Sequence, residues 1–177
     1  MRKLAIFAIF AVCYLYADKA SALGVSAGLL AGNGFKDGYN VGVGARGGIT
    51  LPMNIYLGAS FVYHFGKTEN VGGSDVTANV WLLGAEGGYD LGIGPLTLRP
   101  YLGLGYAHLS FAAPACAAVG TCVSASDSDG KVAFWPGATA HFNLAFLYLG
   151  VDLRYTVLLD VEDANAFGTF VTAGLSF

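Results

Sequence analysis

Period-two alternation constrains this chain more than any other feature. In its last ten residues Val171, Ala173, Leu175 and Phe177 alternate with Phe170, Thr172, Gly174 and Ser176. Successive side chains of a strand point to opposite faces, so such a strand meets two different surroundings. The pattern recurs in eight segments: Ala22–Gly32, Tyr39–Leu51, Ile55–Gly66, Ala78–Leu91, Leu96–Ser110, Lys131–Phe142, Leu144–Leu158 and Ala166–Phe177. The gaps at Pro52–Asn54, Gly92–Pro95 and His141–Asn143 are tight. Those at Asn33–Gly38, Lys67–Thr77, Phe111–Gly130 and Asp160–Asn165 are mostly longer and more polar. Short turns at one rim and longer loops at the other are expected of an up-and-down barrel.

The amino terminus reads as an export signal. Arg2 and Lys3 precede the uncharged run Leu4–Ala17, and Ala20-Ser21-Ala22 is a small-x-small cleavage site. Residues 1–22 are therefore expected to be a signal peptide and 23–177 one barrel domain. A lipoprotein at Cys13 is disfavoured by Val12, where such a signal wants a small residue. After cleavage six basic and eleven acidic residues remain, a balance that offers nucleic acid no basic patch. Only 12% of residues are charged and the mean hydropathy is +0.57, yet no apolar run after Leu23 is long enough for a spanning helix. That combination is what a membrane barrel gives, because only alternate residues meet lipid.

With its aromatic last residue and its export signal, the chain resembles the small eight-stranded bacterial outer-membrane barrels of the OmpA and OmpX type. The resemblance covers the whole mature chain. It implies an all-β, eight-stranded antiparallel up-and-down transmembrane barrel in the outer membrane. It also implies contact with lipid and lipopolysaccharide, recognition of Phe177 by the barrel assembly machinery, and a monomer. No periplasmic peptidoglycan-binding domain is expected after the barrel.

The cost of charge fixes the faces. A charge on the lipid face near the midplane costs about 2–4 kcal/mol, so Arg46, Glu86, Arg99, Asp152 and Arg154 are expected to point inward as a lumen charge network. A hairpin symmetric about Gly92-Ile93 would place Glu86 across from Arg99. By the same parity Tyr39, Tyr63, Trp81, Tyr106, Tyr155 and Phe167 form one aromatic girdle, and Tyr89, Phe142 and Phe177 the other. Pro136 makes a bulge possible in the sixth strand. Inward glycines either leave free volume or make room for Tyr101, Trp135, Tyr148 and Phe170.

Other constellations carry little chemistry. Cys116 and Cys122 lie close together in an exported segment and are expected to form a disulfide. His108-Leu-Ser110 is similar to the His and Ser of outer-membrane lipid A deacylases, but Phe111-Ala112 follows and no carboxylate is placed to orient the His. Asp127-Ser-Asp129-Gly130 resembles a fragment of a calcium loop that lacks the later Glu. His64 and His141 are expected inside, near opposite rims. No metal site, cofactor motif or catalytic set is identified. The expected role is non-enzymatic, structural or surface-interacting, carried by the outer loops. The rivals are a narrow pore and a lipid-modifying enzyme.

Overall fold

The computed structural model describes residues 23–36, 39–66, 68–71, 74–116, 122–159 and 165–177, with the backbone alone given for 68–78 and 111–128 within them. The expected signal peptide, Asp37, Lys67 and the tip holding Asp160, Glu162 and Asp163 lie outside the described residues.

Among the described residues ten strands are present: β1 (Gly24–Gly34), β2 (Val41–Thr50), β3 (Ile55–His64), β4 (Thr68–Val71), β5 (Ser74–Tyr89), β6 (Leu91–Ile93), β7 (Leu96–Cys116), β8 (Cys122–Leu144), β9 (Leu147–Leu158) and β10 (Ala166–Ser176). Eight of the pairing positions form a ring, β1-β2-β3-β5-β7-β8-β9-β10, every neighbour antiparallel. β6 continues β5 in the same register against β7, so the two are one strand interrupted at Asp90. β4 is a hairpin partner of the loop-side end of β5. β1 and β10 close the ring from Ser26 opposite Ser176 to Gly34 opposite Gly168. Closure matters because hydrocarbon offers no partner to an unpaired N–H or C=O.

The turn rim holds the 3-10 turn Pro52–Asn54, the Gly94-Pro95 turn and the Ala145-Phe146 turn. Gly94 (φ 61°) suits its positive φ, whereas Met53 (71°), Asn54 (64°) and Ala145 (56°) adopt it without that freedom. Two turns therefore differ from expectation. The last tight crossing lies at Ala145-Phe146, two residues beyond the expected gap, and β8 runs through His141–Asn143. The β5–β7 hairpin turns at Gly94-Pro95, not Gly92-Ile93, which shifts every partner along it. Gly103, not Arg99, lies opposite Glu86.

Parity is otherwise as the cost of buried charge requires. Leu57, Phe61, Leu83, Leu102, Leu104, Leu149, Val151 and Val171 are exposed on the outside, and Arg46, Glu86, Arg99, Asp152 and Arg154 are buried inside. Pro136 introduces no bulge. Phe134 opposite Val157 and Gly137 opposite Arg154 share one register across it. Tyr39 departs: it is 3% exposed and packs edge-on against His64 inside the mouth. It precedes β2, and its N–H closes a turn onto the Lys36 carbonyl, so strand parity no longer governs its direction.

Several inward glycines make room, not free volume. A Cβ on Gly103 would lie 2.0 Å from Trp135 Nε1, and one on Gly28 would lie 2.1 Å from the Tyr148 hydroxyl. Small residues on one strand thus accept the large ring of a neighbour.

The hairpins extend well above the ring. β7 and β8 remain paired out to Cys116 opposite Cys122. The expected loop Phe111–Gly130 is therefore mostly strand. Beyond the ring a strand need not separate a lipid face from a lumen face, so no period-two pattern is required of it.

Candidate functional site: a layered lumen and an acidic loop rim

The middle of the lumen is organised around Arg46, on β2. Its Nη1 donates to Asp152 Oδ2 and to Thr139 Oγ1, both at 2.8 Å, and its Nη2 donates to Glu86 Oε1 at 3.2 Å. Arg46 Nε lies 2.7 Å from Glu86 Oε2, a charge contact off the hydrogen-bond line. The carboxylates have further donors. Ser60 Oγ and Trp135 Nε1 reach Glu86 Oε1 at 2.7 and 3.0 Å. Thr139 Oγ1 reaches Asp152 at 2.7 Å, the Tyr101 hydroxyl at 2.9 Å, and Arg154 Nε at 3.0 Å. Five strands, β2, β3, β5, β8 and β9, plus Tyr101 on β7, thus meet in one polar layer. A buried charge is tolerated on those terms, paired and hydrogen-bonded.

Arg99 belongs to a second cluster nearer the turn rim. It salt-bridges Asp90 with Nε to Oδ1 at 2.5 Å and donates from Nη2 to Oδ2 at 2.8 Å, while Thr50 Oγ1 donates to Oδ2 at 2.9 Å. Its guanidinium lies 3.6 Å over the Tyr56 ring. The expected Glu86–Arg99 contact is thus replaced by Glu86–Arg46 and Asp90–Arg99. Asp90 sits at the break between β5 and β6. Sequence reasoning missed it, because only the true turn position pairs it with Arg99.

The loop-side end is different in kind. Val80, Leu82, Ala107, Ala133, Leu158 and Ala166 form a buried apolar cluster with Tyr39 over it. His64 stands between Tyr39 and Phe170, and Arg154 lies 4.9 Å over the Phe170 ring. The Tyr39 hydroxyl and Arg154 Nη2 are buried with no hydrogen-bond partner among the described residues. Burial pushes the Tyr39 phenol above its ordinary range. Toward the turn rim a cavity of about 730 Å³ opens below Arg46, with His141 and Tyr148 in its wall, their rings 5.2 Å apart.

Outside the barrel, His108 packs against Trp81 (5.3 Å) and Tyr106 (6.5 Å), with Phe61 beyond Trp81 at 6.2 Å. His108 is therefore part of an aromatic girdle. Asp129 is exposed and bridged to Lys131 at 2.9 Å. Among the described residues no group of three His, Cys, Asp or Glu is placed to hold a metal.

The lumen charges balance, and the remaining charges fall in other segments of the sequence. All three arginines after residue 22 are in the lumen, matched by Glu86, Asp90 and Asp152; all three lysines there, Lys36, Lys67 and Lys131, belong to loop-side segments of the chain with the other eight acids.

The ion pairs can be tested by substitution and by pH. Arg46→Met should cost about 3–5 kcal/mol of barrel stability, because Glu86 keeps no cation. The added change Glu86→Gln should recover part of it. Denaturant unfolding in vesicles, read by tryptophan emission, measures both, and additive losses would refute the coupling. For Asp90, burial raises the carboxyl, but the Arg99 hydrogen bond and charge, then the Thr50 hydroxyl, outweigh it and hold it below the ordinary carboxylate range. Its contribution is present above the unfolded-state value and lost as pH falls through the folded one. Asp90→Asn should flatten the acid limb of stability against pH; an unchanged limb would remove Asp90 from the account.

The family description "Outer membrane protein beta-barrel domain" matches residues 4–177. No curated protein sequence matches. Among solved structures, a major outer membrane protein of Thermus thermophilus superposes with TM-score 0.71 at 15% identity, covering 88% of this chain and all of that one. Ail, the attachment invasion locus protein of Yersinia pestis, gives 0.57 at 19% identity, covering 89% and 99%. The N-terminal β-barrel domain of Pseudomonas aeruginosa OprF gives 0.54 at 16%, covering 87% and 97%.

Proposed function

The chain belongs to the outer-membrane β-barrel domain family and resides in the bacterial outer membrane; from that premise we propose that it is a surface-interaction protein whose working part is the β-sheet standing above the loop rim. In this reading the turn rim and both ends of residues 23–177 face the periplasm, residues 1–22 are removed on export, and Phe177 engages the assembly machinery. The barrel stands as a monomer among lipid and lipopolysaccharide.

One observation carries the reading. From Cys122 to Gly130, β8 is paired among the described residues with β7 alone; its pairing with β9 begins at Ala133, with Leu159 N–H donating to the Val132 carbonyl. Among the described residues this leaves an edge from 122 to 130 with no strand paired to it, flanked by a sheet that includes β4 and the end of β5. An exposed edge offers main-chain hydrogen bonds to an extended partner segment. The loop-side segments carry eight acids against three lysines, so the partner that fits is basic. Ail, itself an attachment invasion locus protein, has been solved with the heparin analogue sucrose octasulfate. The acidic rim of this chain argues against a sulfated glycan here.

An alternating Lys/Val peptide is the probe. Vesicles holding the intact barrel should bind it, in a salt-sensitive manner, and a variant with residues 112–126 replaced by a tight Asn-Gly turn, which keeps Phe111 opposite Asp127, should not. Retained binding by the shortened barrel, with its heat-dependent gel mobility intact, would overturn the proposal.

We further propose that Cys116 and Cys122 are joined at the tip of this ribbon. The register sets them directly opposite, and facing Cα atoms of an antiparallel pair are about 4.5–5.5 Å apart, within disulfide range. A thiol assay on unfolded, unreduced mature protein should find no free thiol; two reactive thiols would refute the bond.

A further inference from the structure

We propose that the cavity below Arg46 is a binding cup for a neutral, hydroxyl-rich solute of one or two sugar rings, entered from the turn rim. The proposal rests on the family reading only for which side of the membrane the cup faces.

Size and closure come first. The cavity is about 730 Å³, within the range of small-molecule sites. Val25, Pro52, Met53 and Phe177 are among the residues that line it, at its turn-rim end. Its far wall is the Arg46–Thr139–Asp152 layer, and beyond that lies the apolar cluster under Tyr39. A solute that enters from the turn rim therefore meets a floor.

Charge then selects the ligand. Each lumen cation is matched: Arg46 lies between Glu86 and Asp152, Arg154 shares Asp152, and Arg99 grips Asp90 with two nitrogens. An anion would have to displace a carboxylate from a guanidinium, and a cation the reverse; both exchange a charge-assisted bond for another at a desolvation cost. A neutral solute meets no such competitor. What the walls offer it is hydroxyl and amide chemistry from Ser26, Thr97, Asn143 and Thr172 beside the His141–Tyr148 ring pair. Asn143 Nδ2 already donates to Thr97 Oγ1 at 2.9 Å, which aims the pair and leaves the amide oxygen as an acceptor. Sugar hydroxyls both donate and accept, as this set requires.

The test uses the folded full barrel in phosphocholine-type micelles, which carry no sugar headgroup, with sucrose as probe and glucose 6-phosphate as charged comparison. Saturable amide shifts at Thr97, His141 and Asn143 are expected with sucrose, with affinity at least about tenfold above that for the phosphate. Ser26→Leu, which fills the mouth from a half-buried position, should abolish the shifts while the folded gel mobility is retained. If that variant fails to fold, Asn143→Leu at the rim replaces it. Absence of saturation, preference for the charged sugar, or shifts that survive a folded filling variant would each overturn the proposal.

Discussion

Hydrocarbon accepts no unpaired peptide group, and the architecture follows from that constraint. The ring must close, so β10 returns to β1 and the last residue is held in the seam: the Phe177 N–H donates to the Val25 carbonyl and the Phe177 carbonyl accepts from the Val25 N–H, both at 2.8 Å. Once the ring is closed, the two-residue period divides every strand into a lipid face and a lumen face. Charge has only the lumen to enter. With eight strands the lumen is narrow, so the charges that enter must find each other. Arg46 does so by lying between two carboxylates that come from β5 and β9, strands that are not neighbours in the ring.

The lumen is consequently layered. The turn side is wet in composition and neutral in charge, the middle is a hydrogen-bonded ion layer, and the loop side is packed with Val80, Leu82, Ala107, Ala133 and Leu158. Glycines serve this layering by letting large rings lie across neighbouring strands, as Trp135 does over Gly103 on its way to Glu86. Outside the lumen, Asp129 is exposed beside Lys131, where water and salt screen the pair. Interior and rim thus divide two tasks, filling the barrel and presenting a surface.

The alternation in Gly168–Phe177 and its seven counterparts made the strand count legible, and the cost of a lipid-facing charge oriented nearly every strand. Both are local rules acting on residues two apart. Where they met water they lost force. Tyr39 left its parity because a turn precedes β2, and the ribbon through Asp127 and Asp129 looked like loop because its sequence carries no period-two pattern. The Glu86–Arg99 pairing failed for another reason: the centre of a turn is set by backbone geometry at Gly94, and an error there shifts every partner along the hairpin.

By itself, the sequence determined that this chain is an alternating eight-stranded barrel with its arginines inside, because period and charge cost are properties of single strands in lipid. Only the tertiary structure decided that Arg46 serves Glu86 and Asp152, that Arg99 serves Asp90, that Tyr39 covers the mouth, and that β7 and β8 stay paired out to Cys116 and Cys122. Those facts depend on register and closure, which join residues as far apart as Val25 and Phe177 and leave no mark on either neighbourhood alone.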